Sequence, residues 1–370
     1  MKDTIFSPAF GNKPRTMVGR DSDMKTLQDG LASVPGSKER AVLIIGQRGM
    51  GKTVMLLELA DYARNHGYIV ASPTVVSRGM RDRILEKLET DGEDYLVEKT
   101  PRITGGTIGA MGVTAGIQMQ TQQKPPRSFG YRLGEYCSKA KAHNKGILIL
   151  VDEVQANNDE LKDLIIAYQE RVGADDDIAV VFAGLPAAIA GTLNEHVLTF
   201  LNRAFKMELG PIPAAEIEIY YRNSFTELGI VMPDEWVQRA AEVSEGSPYM
   251  MQLIGHYITV SASDSGELPE EDFLRALQYA RKDFTNDICR TTLASLSEVD
   301  IDFLRAMTPD KVHSSVKDVA ERLNVGSAYV QRYKTRLIEA GVIVSDQRGY
   351  VAFAVPYLND YLREQVESFG

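Results

Sequence analysis

The stretch Gly46-Gln47-Arg48-Gly49-Met50-Gly51-Lys52-Thr53 constrains this chain more than any other. Two glycines separated by four residues are followed directly by Lys and Thr. Ala41 to Ile45 reads as a buried strand running into the stretch, and Val54 to His66 as a helix leaving it. Glycine is needed where the backbone curls so that successive N–H groups point inward at an anion. The helix N-terminus adds partial positive charge and unpaired donors. Strand, loop and helix in this order form a phosphate cradle, and a merely incidental glycine-rich turn accounts for less of the pattern. On this reading Gly46, Gln47, Arg48, Gly49, Met50, Gly51, Lys52, Thr53 and Val54 surround a nucleoside triphosphate. Lys52 reaches its β- and γ-phosphates, and the Thr53 hydroxyl ligates Mg²⁺.

At 370 residues the chain is too long for one typical core, so two or three domains are expected. Its 44% apolar and 25% charged residues are those of a soluble globular protein. Met1 to Pro14 lacks the apolar centre of a signal peptide. The longest apolar run, Ile178 to Ala190, is broken by Gly184 and Pro186 and is too short to span a bilayer, so no membrane partner is expected. Cys137 and Cys289 form no metal or redox motif, which places the protein in the reducing cytoplasm.

The pattern along the chain is α/β. Tyr68–Ala71, Ile147–Val151, Ile178–Ala183 and the shorter Phe205–Leu209 read as further strands, with helices near 78–89, 128–144 and 159–171 between them. Uniformly apolar strands alternating with helices predict a parallel sheet covered on both faces. This core is assigned residues 1–211, punctuated at its end by Pro211 and Pro213. Residues 212–290 carry four helical segments and read as a small helical lid. A glycine-rich segment, Thr104 to Gln123, fits neither pattern. A hairpin inserted at about 101–127 and a loop ordered by a partner are both open for it.

Residues 291–370 read as a winged helix-turn-helix: helices near 297–307, 315–323 and 327–340, then strands 342–345 and 350–353 around Asp346-Gln347-Arg348-Gly349. Between Lys311 and Tyr350 seven basic residues face four acidic ones, although the whole chain carries a net charge of −10. Any nucleic-acid contact is therefore confined to this module. With Val330, Leu337 and Ile338 buried, the third helix presents Ser327, Tyr329, Gln331, Arg332, Lys334 and Thr335. Arg332, Lys334 and the wing residue Arg348 suit phosphates, and Gln331 suits a base edge. The same module type also serves as a protein-docking surface.

A second site motif lies at the end of the strand Ile147–Val151, which delivers Asp152 and Glu153 at the sheet's carboxyl edge, where open α/β sheets bind ligands. This is the form of a Walker B segment. Asp152 holds Mg²⁺, and Glu153 acts as general base toward the attacking water. A water-activating acid favours hydrolysis over binding alone.

Five motifs in order carry a family resemblance: Val18-Gly19-Arg20-Asp21, the phosphate loop, Leu150-Val151-Asp152-Glu153, Ala183-Gly184-Leu185-Pro186 and Glu245-Gly246-Ser247-Pro248-Tyr249. The chain resembles AAA+ and STAND-type P-loop ATPases near the origin-recognition initiators, over about residues 17 to 290. The resemblance implies that Gly19 and Arg20 line the adenine side and that Pro248 packs on the base. It also implies that Arg203 is an arginine finger, across a subunit interface in a nucleotide-dependent homo-oligomer. Taken alone, the first two are a turn and a helix start, and Arg203 a structural ion pair. Two positions depart from the family. The strand ending at Ala183-Gly184 lacks a polar γ-phosphate sensor, and Tyr249-Met250 stands where an arginine is common. Slow turnover is therefore expected. The combined expectation is an ATP- and ADP-binding, Mg²⁺-dependent ATPase whose nucleotide state controls duplex DNA binding. The alternative is a signalling switch that binds a protein through the same module.

Overall fold

A computed structural model describes residues 5–9, 13–97, 127–193, 196–345 and 347–369, so the glycine-rich segment Thr104 to Gln123 lies outside the described residues. Five parallel strands form the first sheet: β1 (Ala41–Gly46), β2 (Tyr68–Val75), β3 (Gly146–Asp152), β4 (Ile178–Gly184) and β5 (Phe205–Leu209), in the order β2-β3-β4-β1-β5. Period-two alternation divides their side chains between two apolar layers. Leu148 and Leu150 of β3, with Val42 and Ile44 of β1, pack on helices Asp21–Ala32 and Lys52–Asn65. Ile147, Ile149 and Val151 turn to the other face, against Leu85, Leu133 and Leu164 of helices Met80–Asp91, Phe129–Ala142 and Asp159–Gly173. Every residue of β3 and β4 is buried, as expected for central strands of a doubly covered sheet.

Strand β2 runs four residues beyond its expected end at Ala71. Pro73 has no N–H to give the ladder, and the pairing with β3 shifts register after Ala71 before resuming at Thr74. The short helix Pro186–Leu193 and the 3-10 helix His196–Arg203 follow β4.

From Ile212 onward the architecture is helical: Ala214–Glu227, Asp234–Val243, Pro248–Ser261 and Glu270–Phe284, then Glu298–Met307, Val316–Leu323 and Ser327–Glu339. The last three accompany an antiparallel sheet of order β6-β8-β7, formed by β6 (Ser314–Ser315), β7 (Ile343–Val344) and β8 (Tyr350–Phe353). This is compatible with a winged helix-turn-helix, with one strand more than the expected hairpin and a closing helix Leu358–Phe369. One apolar core runs without a break from Ile212 through Phe273 and Phe303 to Leu362.

Phe6 enters that core from the N-terminal segment. It is 2% exposed, lies 5.6 Å from the Tyr220 ring and 5.4 Å from Phe225, and fills the space a side chain at Gly255 would need. Phe6→Ala is expected to lower the unfolding free energy by about 3 kcal/mol, as for other buried Phe truncations. Urea denaturation reads this directly, and a loss under about 1 kcal/mol would mean that Phe6 is not docked as described.

Candidate functional site

The phosphate loop leaves β1, an interior strand with β4 on one side and the edge strand β5 on the other. Gly49 and Gly51 sit at φ +78° and +84°, in the left-handed region that a side chain disfavours. The Met50 N–H turns back to the Gln47 carbonyl at 3.4 Å, and Met50 itself is buried. Lys52 folds inside the loop, its Nζ donating to the carbonyls of Gly46 at 2.8 Å and Gln47 at 2.7 Å. Burial pulls the Lys52 ammonium down to about 8; Arg48 adds to this, while Asp152 and Glu153 oppose it.

Strand β3 ends one strand away from β1 across β4, and brings Asp152 to the same edge. Asp152 is 5% exposed and accepts a 2.6 Å hydrogen bond from Thr53 Oγ1. Two hard oxygen donors, from residues 99 positions apart, thus meet beside the loop. At Glu153 the chain turns at φ +51°, unusual for a residue with a side chain, and its N–H caps Asp152 Oδ1 at 2.9 Å. Val154 then re-enters the core by donating to Ala183 O at 2.9 Å. The turn leaves the Glu153 side chain exposed.

The lid reaches the loop directly. Ser247 is fully buried and caps helix Pro248–Ser261 through Met250 N, while the Tyr249 N–H lies 3.4 Å from the Gly49 carbonyl. Pro248 stands beside Gly51, within van der Waals reach of any substituent there. Tyr249 Oη donates to Asp287 Oδ2 at 2.6 Å from a π-helical turn, Thr285–Cys289, whose Ile288 also faces Gly49. Gly19 packs on Ile212, and the buried Arg20 donates from Nη2 to Gly210 O at 2.5 Å. Ile212 N in turn donates to Gly246 O at 2.8 Å. Gly19, Arg20 and Pro248 are thus drawn together around the loop. Arg203 lies apart, exposed at the end of its 3-10 helix. Gly184, the sensor position, is filled by Val154 and Ile189 and offers no polar group.

Residues 16–181 match the family model of the AAA ATPase domain. The chain is a P-loop ATPase that is similar over these residues to the AAA type. A second family model, a domain of unknown function (DUF8462), matches residues 286–362 of the ATPase. No curated protein matches the chain. Among solved structures the fold is similar to the Walker-type ATPase PABY2304 of Pyrococcus abyssi, with TM-score 0.70 and 14% identity over 97% of this chain and 100% of that one. The ORC2 protein of Aeropyrum pernix, solved in ADPNP–ADP complexes, gives TM-score 0.62 and 15% identity over 98% of both chains. Cdc6p from Pyrobaculum aerophilum gives 0.51 and 14%, covering 100% of this chain and 99% of that one. Among the described residues of the ATPase, no helix is long and apolar enough to cross a membrane.

On the C-terminal module of the ATPase, Ser327, Tyr329, Gln331, Arg332 and Arg348 are exposed and Lys334 is half-buried, while Val330 and Leu337 are buried. Three other cations of the basic segment are engaged: Arg322 holds Asp310 with both terminal nitrogens (2.6 and 2.8 Å), Arg336 holds Asp300 (2.9 Å) and Lys317 reaches Glu321 (3.7 Å). Sequence reasoning missed Asp287, Ile288 and the packing of Gln47 against Gly341.

Proposed function

We propose that this ATPase binds ATP with Mg²⁺, hydrolyses it slowly, and uses the bound nucleotide to govern duplex DNA binding through residues 291–370. The fit to the cation rests on Thr53 Oγ1 and Asp152 Oδ2, neutral and anionic oxygens 2.6 Å apart beside a loop with two left-handed glycines. Mg²⁺ takes such oxygen donors and keeps other positions for phosphates and water. When bound, it neutralises charge on the transferring phosphoryl group. The chain's own residues do the rest. Lys52 gives its ammonium to the β- and γ-phosphates, Glu153 orients and deprotonates the attacking water, and Gly19, Arg20 and Pro248 enclose the base side. Arg203, exposed on its 3-10 helix, acts across a contact between copies. Cys137 and Cys289 are both buried, in keeping with a cytoplasmic setting.

The observation that carries the DNA reading is the exposed face of helix Ser327–Glu339. Arg332 and Lys334 stand outside any ion pair among the described residues, beside exposed Gln331. With Arg348 on the wing, three cations are positioned for phosphates. Duplex binding should then weaken with salt at a log–log slope of about −3, near −0.9 per phosphate contact. A salt titration with ATP, ADP and no nucleotide measures it. Absence of binding at low salt in all three states would sink the DNA reading in favour of a protein partner at the same face, where Tyr329 and Tyr350 are 41% and 43% exposed.

A further inference from the structure

We propose that the Arg48 guanidinium grips the γ-phosphate, so that this one side chain tells ATP from ADP and steadies the transferring phosphoryl group. The inference rests on the nucleotide reading above and adds a catalytic residue to it. Arg48 directly follows the two loop residues whose carbonyls hold Lys52 Nζ, Gly46 at 2.8 Å and Gln47 at 2.7 Å. The Met50 N–H closes a turn on the Gln47 carbonyl, which puts Arg48 and Gly49 at its two corners. In a loop of this form the lysine serves β- and γ-phosphate oxygens. With the Lys52 ammonium lodged at Gly46 and Gln47, the γ-end of the ligand comes to the strand side of the loop, next to Arg48. The Arg48 charge is felt at Lys52, where it adds to burial in pulling the ammonium down.

Arg48 is half-buried, yet among the described residues it holds no carboxylate or carbonyl. Other arginines of the core are committed: Arg20 to the Gly210 carbonyl, Arg40 to Asp177 and Arg64 to Asp91. A guanidinium taken partly out of water without an acceptor is unfavourable until an anion arrives. Few other groups are available to the γ-phosphate. Gly184 is closed by Val154 and Ile189, and the Tyr249 hydroxyl is engaged with Asp287. Arg203, on the reading above, acts from another copy, whereas Arg48 needs none. Hydrolysis joins the water oxygen to the γ-phosphorus and breaks the bond from that phosphorus to the β–γ bridging oxygen, with the water proton passing to Glu153. Negative charge spreads over the three equatorial γ-oxygens on the way. A planar guanidinium meets two of them with parallel N–H donors, which the point charge of Lys52 cannot do. ADP lacks these oxygens, so Arg48 acts on ATP affinity and not on ADP affinity.

Isothermal titration of the full chain with the non-hydrolysable analogue ADPNP and with ADP, each with Mg²⁺, tests this assignment. Arg48→Gln should leave the ADP dissociation constant within about threefold of wild type. It should weaken ADPNP by about 10–100-fold, the loss expected for hydrogen bonds to a charged group. Single-turnover hydrolysis at saturating ATP should slow by about 10²–10³-fold, as when one transition-state donor is removed. Arg48→Lys restores the charge without the fork, so it should recover ADPNP affinity while hydrolysis stays slow. If Arg48→Gln does not fold, as judged by its melting transition, Arg48→Lys decides instead, and hydrolysis within about threefold of wild type would overturn the inference. Equal weakening of ADPNP and ADP in Arg48→Gln, or no weakening of either, overturns it while the nucleotide reading stands. A wild-type chain that binds neither nucleotide sinks the nucleotide reading and the inference with it.

Discussion

Lys52→Ala is expected to raise the dissociation constant for ATP by about 10²–10³-fold, the loss that follows truncation of one partner in a buried charge pair. On the proposed reading Lys52 is the loop side chain that carries its charge to the β- and γ-phosphates. Its Nζ already lies inside the loop, on the Gly46 and Gln47 carbonyls. Alanine keeps helix Lys52–Asn65 intact, since it is the best helix former, so the effect is on the ligand and not on the fold. A pH dependence accompanies it. Burial has lowered Lys52 to about 8, so above that pH the group is mostly neutral before the ligand arrives. Phosphates favour the ammonium, so binding must then draw in a proton, and affinity should fall as pH rises past about 8. In Lys52→Ala that slope should vanish. Isothermal titration from pH 7 to 9 checks both points. A variant that binds within about threefold of wild type, a difference under 1 kcal/mol, would remove Lys52 from the site.

Much of this was legible because the ATPase core obeys local rules. A buried parallel strand must be apolar throughout, so β3 and β4 announce themselves; the loop glycines follow from the conformation required at Gly49 and Gly51. Helix edges in the lid were equally plain, with Asp234–Val243 and Glu270–Phe284 bounded by prolines before them. What stayed hidden depends on tertiary approach. A two-residue strand such as Ser314–Ser315 has no periodicity to read, and helix Pro186–Leu193 hides in an apolar run that also contains β4. Asp287 and Tyr249 lie 38 positions apart, and Asp287 meets Tyr249 from a π-helical turn. Gln47 and Gly341 are farther apart still. No pattern within either segment encodes their packing.

Glu153→Gln should leave ATP binding within about threefold of wild type and lower hydrolysis by about 10²–10⁴-fold, the usual contribution of a positioned general base. The two acids after β3 are adjacent but differently placed. Asp152 is buried and engaged by Thr53, whereas Glu153 is exposed beyond a turn at φ +51° and, among the described residues, held by no side-chain partner. Glutamine matches glutamate in shape and meets the same backbone demand, so the turn survives while the base is lost. Asp152→Asn, by contrast, should weaken Mg²⁺-dependent binding itself, because it alters the acceptor of Thr53. Single-turnover hydrolysis beside equilibrium binding separates the two outcomes. Hydrolysis of Glu153→Gln at the wild-type rate would end the assignment of Glu153 as base. On the proposed function, the same variant loaded with ATP should also keep its duplex bound for as long as the nucleotide persists. Wild type should lose the duplex sooner, as it hydrolyses its ATP.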